Sequence, residues 1–168
     1  GFVMLGISTL TPFGTNAAMF GMVAHGLITG MLFFVAGSVK ERHHTLEIKR
    51  LGGLLKQMPR MGWILGFASM ASLGLPGLAG FWGEFPAILS AYNPADGLNE
   101  TTFRVYMVIA ALGTVLAAAY LLWLFQRVAF GEPKPEFSGH DEHHFHDVNR
   151  FEWIAWTPLL IAILVFGV

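Results

Sequence analysis

Glu84 is the residue whose chemistry most needs an explanation, because it is the one acidic or basic side chain in an apolar stretch of 32 residues, 61 to 92. An ionisable group at membrane depth is expensive, and it can take up and release a proton as its neighbours rearrange. The position of Glu84 therefore predicts a site that carries protons. The alternative is a kinked membrane helix in which the carboxyl stays protonated or hydrogen-bonded and only fixes the packing.

His25 is the second residue with a chemistry of this kind, since it is the only ionisable group between residues 17 and 38. Gly21, His25 and Thr29 are spaced four apart and fall on one helix face, so a neighbouring helix is predicted to approach along a small and polar stripe. The adjacent small residues are Gly26 and Gly30. Two interpretations remain open: a proton relay through His25 and Thr29, and a histidine that only bonds helices together.

A run of histidines lies in the polar connection between residues 131 and 152. Its members are His140, His143, His144 and His146, among Asp141, Glu142 and Asp147. Imidazole and carboxylate ligands at this spacing are able to hold zinc or nickel, but a loop without a fixed backbone loses entropy when it binds. We interpret the run as a solvated loop and expect no metal site. The motifs of nucleotide-binding loops and of zinc proteases are missing from the sequence.

The element that carries Glu84 must be interrupted. A helix of 32 residues would measure about 48 Å, whereas the hydrocarbon core of a bilayer measures about 30 Å. Glycine and proline mark the interruption, because proline lacks a donor and glycine leaves helical dihedrals easily. We predict two half-helices, separated by Gly74, Pro76, Gly77 and Gly80.

Composition indicates a membrane protein, since 54% of the residues are hydrophobic and 12% are charged, with a mean hydropathy of +0.57. We predict an all-α, polytopic transmembrane bundle in a single domain, with a turn over residues 11 to 16. The predicted spans are about 1–10, 17–38, 61–92, 104–127 and 153–168. Both ends lie in apolar runs, so we expect a fragment of a longer protein. With no cysteine, the sequence offers no disulfide and no thiolate ligand for a metal or an iron–sulfur cluster.

Charge predicts the orientation of the spans. Residues 40 to 60 carry six Lys or Arg, whereas residues 93 to 103 carry none. Positive charge accumulates on the cytoplasmic side of membrane proteins. We therefore expect residues 40 to 60 and 131 to 152 in the cytoplasm and residues 93 to 103 outside.

Several short motifs resemble one family. They are His25-Gly26-Leu27, the run Glu41, Arg42, His44 and Thr45, the segment Gly52-Gly53-Leu54, Pro76-Gly77 followed by Gly83-Glu84-Phe85, and Phe130-Gly131 after Arg127. Over almost the whole chain the sequence resembles the C-terminal half of the M chains of bacterial NADH-quinone oxidoreductase, respiratory complex I. Sister chains L and N and Mrp-type antiporters carry lysine where Glu84 stands, and L chains tend to carry lysine in place of Thr29, so the resemblance favours M.

The resemblance implies an antiporter-like proton channel, of which this chain is part of the second inverted repeat. It implies that His25 belongs to a central chain of polar residues and that Glu84 exchanges protons with the outer side. It implies a proton-translocating subunit of the bacterial plasma membrane, beside chains L and N, with no redox chemistry or cofactor of its own. NADH, FMN, iron–sulfur clusters and quinone would bind elsewhere in the complex. The alternatives are a Mrp-type cation/proton antiporter subunit and a structural membrane anchor.

Overall fold

The computed structural model describes residues 1–137 and 145–168, and within them it has helices and no strand, so the prediction of an all-α fold is confirmed. His140, His143 and His144 lie outside the described residues. The helices of the described part are α1 (Phe2–Ser8), α2 (Pro12–His43), α3 (Leu54–Gln57), α4 (Pro59–Ser72), α5 (Ala79–Ser90), α6 (Glu100–Ala129) and α7 (Arg150–Val165), with a 3-10 turn at Pro135–Phe137.

Two of the described helices, α2 and α6, are long and apolar enough to cross a membrane by length and composition. Helix α2 has 32 residues and measures about 48 Å. It begins inside the segment predicted as a turn, because Pro12 occupies the first helical position, where its missing N–H is no loss. Thr11 caps the helix by accepting a hydrogen bond from the Gly14 N–H at 3.0 Å.

The apolar stretch around Glu84 is divided into α4 and α5, as predicted. With 14 and 12 residues, each half is shorter than the roughly 30 Å of a hydrocarbon core. The chain leaves helical geometry at 73–78, where Gly74 and Gly77 have φ angles of 69° and 91°. Gly80 was predicted to belong to the break, and this was wrong: it lies inside α5. A Cβ at Gly80 would stand 2.1 Å from the Ala71 carbonyl oxygen, so glycine is needed there for the close approach of the two halves.

Helix α2 is the centre of the bundle and packs against α1, α4, α5 and α7. The core between them includes Met31, Met61 and Trp156, each at most 2% exposed. Helix α6 is more isolated, because only 11% of its most apolar window is buried.

The polar connections collect at opposite ends of the bundle. At the end where α2 begins, the Ala95 N–H donates to the Thr9 carbonyl at 2.9 Å. At the end where α2 stops, the Gly53 N–H donates to the Phe130 carbonyl at 3.0 Å. The connection over residues 40 to 60 and the start of the connection after Phe130 therefore lie at one end of the bundle, and residues 93 to 103 lie at the other end.

A charged cluster fixes the first of these ends. Arg42 donates to both carboxylate oxygens of Glu152 at 2.9 Å, and Ser38 donates to the same group at 2.7 Å. Arg42 Nε also donates to the His146 carbonyl at 2.7 Å. The carboxylate of Asp147 accepts from the backbone N–H groups of Arg60 and Met61, at the start of α4. Helices α2, α4 and α7 are thereby joined through residues 146 and 147.

Candidate functional site

Helices α2 and α5 cross at two glycines, Gly21 and Gly83. A Cβ added to Gly83 would stand 2.5 Å from the Gly21 Cα, and one added to Gly21 would stand 3.4 Å from the Gly83 Cα. The backbones therefore touch directly, which only residues without a side chain allow. This contact places the next turn of α2, which carries His25, beside the turn of α5 that carries Glu84.

Both ionisable residues line one cavity of about 240 Å³ next to this crossing. Its other walls are small or apolar, and they come from four helices: Gly1, Phe2, Val3, Gly21, Ala24, Ile28, Ala71, Ser72, Gly80 and Gly83. A cavity of this size with polar groups on its wall has room for several water molecules. The structure therefore brings Glu84 and His25, which are far apart in the sequence, to one space that suits water.

Glu84 is half-buried, and within the described residues its carboxylate takes part in no hydrogen bond or ion pair. Its near neighbour is the break itself, because a Cβ added to Gly74 would stand 2.8 Å from Glu84 Oε2. The carboxylate thus lies against bare backbone at the point where the helix is interrupted. A carboxylate without a fixed partner is free to exchange its proton with water in the cavity.

His25 is exposed on the cavity side of α2, and its described partner is Thr29. Thr29 Oγ1 and His25 Nδ1 form a hydrogen bond of 3.2 Å, in which the donor depends on the tautomer of the ring. This bond lies within one helix, so among the described residues the histidine does not connect α2 to a neighbour. Thr29 orients the ring but is not itself among the cavity-lining residues.

The predicted stripe of small residues on α2 makes close contact only in part. Gly21 meets Gly83, as a stripe for close approach requires. Among the described residues, no atom lies within 4 Å of a Cβ added to Gly26 or Gly30, so their part of the predicted close-contact surface has no partner helix in this part of the protein. They lie on a face of α2 that differs from the one packed through Ala24, Ile28 and Met31.

Sequence reasoning missed the partner of Gly21 and the role of Gly74 beside the carboxylate. The signal for the first was the Gly83-Glu84 dipeptide, in which a glycine directly precedes the only charge of the span. Among the described residues, no group of three His, Asp or Glu side chains is arranged to hold a metal ion. The site brings together two side chains that can bind a proton, Glu84 and His25, with the Thr29 hydroxyl beside the histidine.

The fold and the site define a class of protein. It is an α-helical membrane protein in which a carboxylate follows the break in an interrupted helix and lines a cavity together with a histidine. Residues 1–112 match the family model described as NADH:quinone oxidoreductase/Mrp antiporter, TM. The chain belongs to this family.

Similar proteins agree with this assignment. The chain is 37% identical to NADH-quinone oxidoreductase subunit M of Rickettsia prowazekii and 39% identical to NAD(P)H-quinone oxidoreductase chain 4 1 of a Synechococcus strain, in each case over 99% of this chain. In respiratory complex I from Thermus thermophilus with bound NADH, one chain superimposes with a TM-score of 0.81 at 32% identity, again over 99% of this chain. The resemblance to M-type chains is thus confirmed. This chain spans about a third of the length of these relatives, from 31% to 32%.

Proposed function

We propose that this chain is part of a proton-translocating membrane subunit of an NADH:quinone oxidoreductase, and that it carries the exit half of one proton path. In this path, a proton passes from His25 through water in the cavity to Glu84, and Glu84 releases it toward the outer side. The observation that carries the proposal is the shared cavity beside the Gly21–Gly83 contact.

The proposal extends to the setting of the chain. The membrane would be the bacterial plasma membrane, crossed several times, and the neighbours would be other membrane subunits, chains L and N among them. This chain would bind no cofactor. NADH, FMN, the iron–sulfur clusters and quinone would belong to other subunits, and redox energy would reach this chain through conformational or electrostatic coupling. The names of the relatives, which include NADH-quinone oxidoreductase subunit M, support this setting.

The decisive experiment is Glu84→Gln in the full-length protein within its assembled complex. Glutamine keeps the size of the side chain but cannot lose a proton at neutral pH. We expect proton uptake by membrane vesicles to fall at least ~10-fold, a lower bound on the effect of removing a proton-transferring side chain. NADH oxidation should fall with it, because a proton path that cannot reload stops the coupled cycle. Glu84→Asp should retain part of both activities.

The matched control is Glu47→Gln, which removes an exposed carboxylate far from the cavity and should leave both rates unchanged. His25→Ala should act in the direction of Glu84→Gln but more weakly, since a water can bridge the gap. Normal pumping by an assembled Glu84→Gln complex would show that the carboxyl is structural and would refute the proposal.

A second candidate is a subunit of a Mrp-type cation/proton antiporter, because the matching family includes such antiporters. It predicts that vesicles exchange Na⁺ or K⁺ for protons in the absence of NADH and quinone. We place it second because the relatives described above are named for quinone oxidoreductases. Cation-driven proton movement without a redox substrate would reverse this order.

A further inference from the structure

Helices α4 and α7 border an open apolar groove of about 480 Å³, away from the cavity of the proton path. Its lining residues are Arg60, Trp63, Ile64 and Phe67 on α4 and Trp153, Leu160, Ile161 and Leu164 on α7. Trp63 is 66% exposed and Ile161 is 56% exposed. From Trp153 to Leu164 the groove runs about 16 Å along α7, close to half of a hydrocarbon core of roughly 30 Å. It therefore has the length of one leaflet.

One end of the groove is positively charged. Arg60 lies there with an exposed guanidinium that has no hydrogen-bond or ion-pair partner among the described residues. Arg150, at the start of α7, is also exposed, and its guanidinium likewise has no hydrogen-bond or ion-pair partner among the described residues. Two acidic groups near this end already accept hydrogen bonds within the protein. Glu152 pairs with Arg42, and the carboxylate of Asp147 accepts from the N–H groups of Arg60 and Met61.

The two helices begin with the same spacing of residue types. Arg60 precedes Trp63 by three residues, and Arg150 precedes Trp153 by three. Tryptophan is enriched where hydrocarbon meets the headgroups of a bilayer, and basic pockets between helices on the cytoplasmic side bind anionic headgroups. Along the groove, basic side chains at one end are followed by two tryptophans and then by apolar side chains. A phospholipid presents its phosphate, glycerol and acyl chain in the matching order.

Charge complementarity favours an anionic lipid as the occupant, because the exposed guanidinium of Arg60 lines one end of the groove. We propose that the groove between α4 and α7 binds one anionic phospholipid, with its phosphate at Arg60 and an acyl chain lying between Trp63 and Leu164. This lipid site is independent of the proton path.

The test uses the full-length protein in its assembled complex, placed in nanodiscs of phosphatidylcholine. Two photoreactive probes with the same diazirine-bearing acyl chain are added in turn, one a phosphatidylglycerol and the other a phosphatidylcholine. Labelled peptides are then mapped by mass spectrometry. We expect the phosphatidylglycerol probe to label residues 63–67 and 160–164 about five-fold more than the phosphatidylcholine probe, the preference that one basic side chain near a membrane surface provides.

Three variants decide the outcome. Arg60→Gln should abolish the preference, and Ile161→Trp, which fills the groove, should abolish labelling by both probes. Arg127→Gln is the matched control, because Arg127 lies over the Trp123 ring on α6, at the same end of the bundle but outside the groove. It should leave the preference intact. Equal labelling by both probes would mean ordinary bulk lipid, and no labelling would mean that a protein segment, from this protein or from a neighbouring subunit, covers the groove; either result overturns the proposal.

Discussion

Gly83 shows how much of the site depends on an absent side chain. It touches the Gly21 backbone, and directly after it comes Glu84, so the glycine sets the distance between the carboxylate and α2. A methyl group at this position has no space, because the nearest atoms belong to backbone and cannot rotate away. The chemistry of the carboxylate and the packing of its neighbour are therefore specified together by two consecutive residues.

We predict that Gly83→Ala pushes α2 and α5 apart and lowers the free energy of unfolding by about 1–3 kcal/mol, the range found for overpacked cores. The midpoint of thermal unfolding of the full-length protein in detergent measures this effect. Proton pumping should fall as well, because the cavity wall moves. Gly26→Ala is the control on α2, since no atom of the described residues lies within 4 Å of its added Cβ. Equal stability of the two variants would show that the glycine contact is not needed.

At the scale of the elements, the interruption between α4 and α5 determines where the carboxylate faces. Gly74 and Gly77 both have positive φ angles, 69° and 91°, but they differ in their surroundings. An added Cβ at Gly74 would meet Glu84 Oε2 at 2.8 Å, whereas one at Gly77 would meet no atom of the described part of the chain within 4 Å. Substitutions at the two glycines therefore distinguish the effect of backbone strain from the effect of contact with the carboxylate.

Gly74→Ala and Gly77→Ala should destabilise the protein by similar amounts, about 1–2 kcal/mol, because both force a side chain into a left-handed conformation. We expect only Gly74→Ala to lower proton pumping by more than the loss of stability explains, since it displaces the carboxylate of Glu84. The measurement is the pumping rate of each complex relative to its thermal stability. If both variants lose pumping equally, the break acts through its backbone alone and not through the position of Glu84.

The pair of Arg42 and Glu152 joins two further elements, α2 and α7. Its side chains are 14% and 13% exposed, and Glu152 lies ahead of the span predicted from residue 153. Burial works against the ionised form of Glu152, but hydrogen bonds from Arg42, the Asn149 backbone and Ser38 outweigh it and lower the pKa of this carboxyl. A carboxyl with a lowered pKa stabilises the fold above its unfolded pKa, and this contribution is lost as the pH falls through the folded pKa.

Arg42→Gln should therefore lower the free energy of unfolding by about 2 kcal/mol at pH 7, the scale of hydrogen bonds to a charged group. The difference from the unaltered protein should shrink as the pH falls through the pKa of Glu152. Thermal unfolding between pH 7 and acid measures both effects. Arg50→Gln is the comparison, because Arg50 pairs with Glu136 at an exposed site, where ion pairs contribute little. A difference for Arg42→Gln that stays constant with pH would contradict this account.

The elements were predictable where local chemistry decides them. Proline and glycine indicated the break before Glu84, and apolar length indicated α2 and α6. The start of α2 was misplaced because proline was interpreted as a breaker, although it is favoured at a first helical position. The capping box at the start of α7, in which Asn149 and Glu152 bond reciprocally, was also readable from the sequence and was not used.

The site was predictable by residue but not by arrangement. Glu84 and His25 stand out because each is isolated in an apolar span. Helical periodicity indicates which residues share a face, but it does not identify the helix opposite that face. For this reason the Gly21–Gly83 contact, the open surroundings of Gly26 and the position of Gly74 beside the carboxylate required three-dimensional structure.

At the scale of the whole molecule, charge is separated between the two ends of the bundle. Of the ten Lys and Arg residues, all but Arg104 lie near the end where α2 stops and α4 and α7 begin. Arg104 lies at the other end, paired with Glu100 and stacked on Tyr92. The asymmetry predicted from the sequence is thus an asymmetry of the folded bundle. Positive charge is retained on the cytoplasmic side during membrane insertion, so the bundle should have a fixed orientation.

We predict that Lys49 faces the cytoplasm and Asp96 the exterior. Both are exposed, and they lie in the connections at opposite ends of the bundle. Because these 168 residues contain no cysteine, a single cysteine at either position gives a unique label in this part of the protein. A membrane-impermeant maleimide applied to intact cells should label Asp96→Cys, and it should label Lys49→Cys only after the membrane is permeabilised. Mapping the label to its peptide excludes cysteines elsewhere in a longer protein. Labelling of position 49 but not 96 in intact cells would invert the orientation, and Glu84 would then release protons toward the wrong side for an exit site.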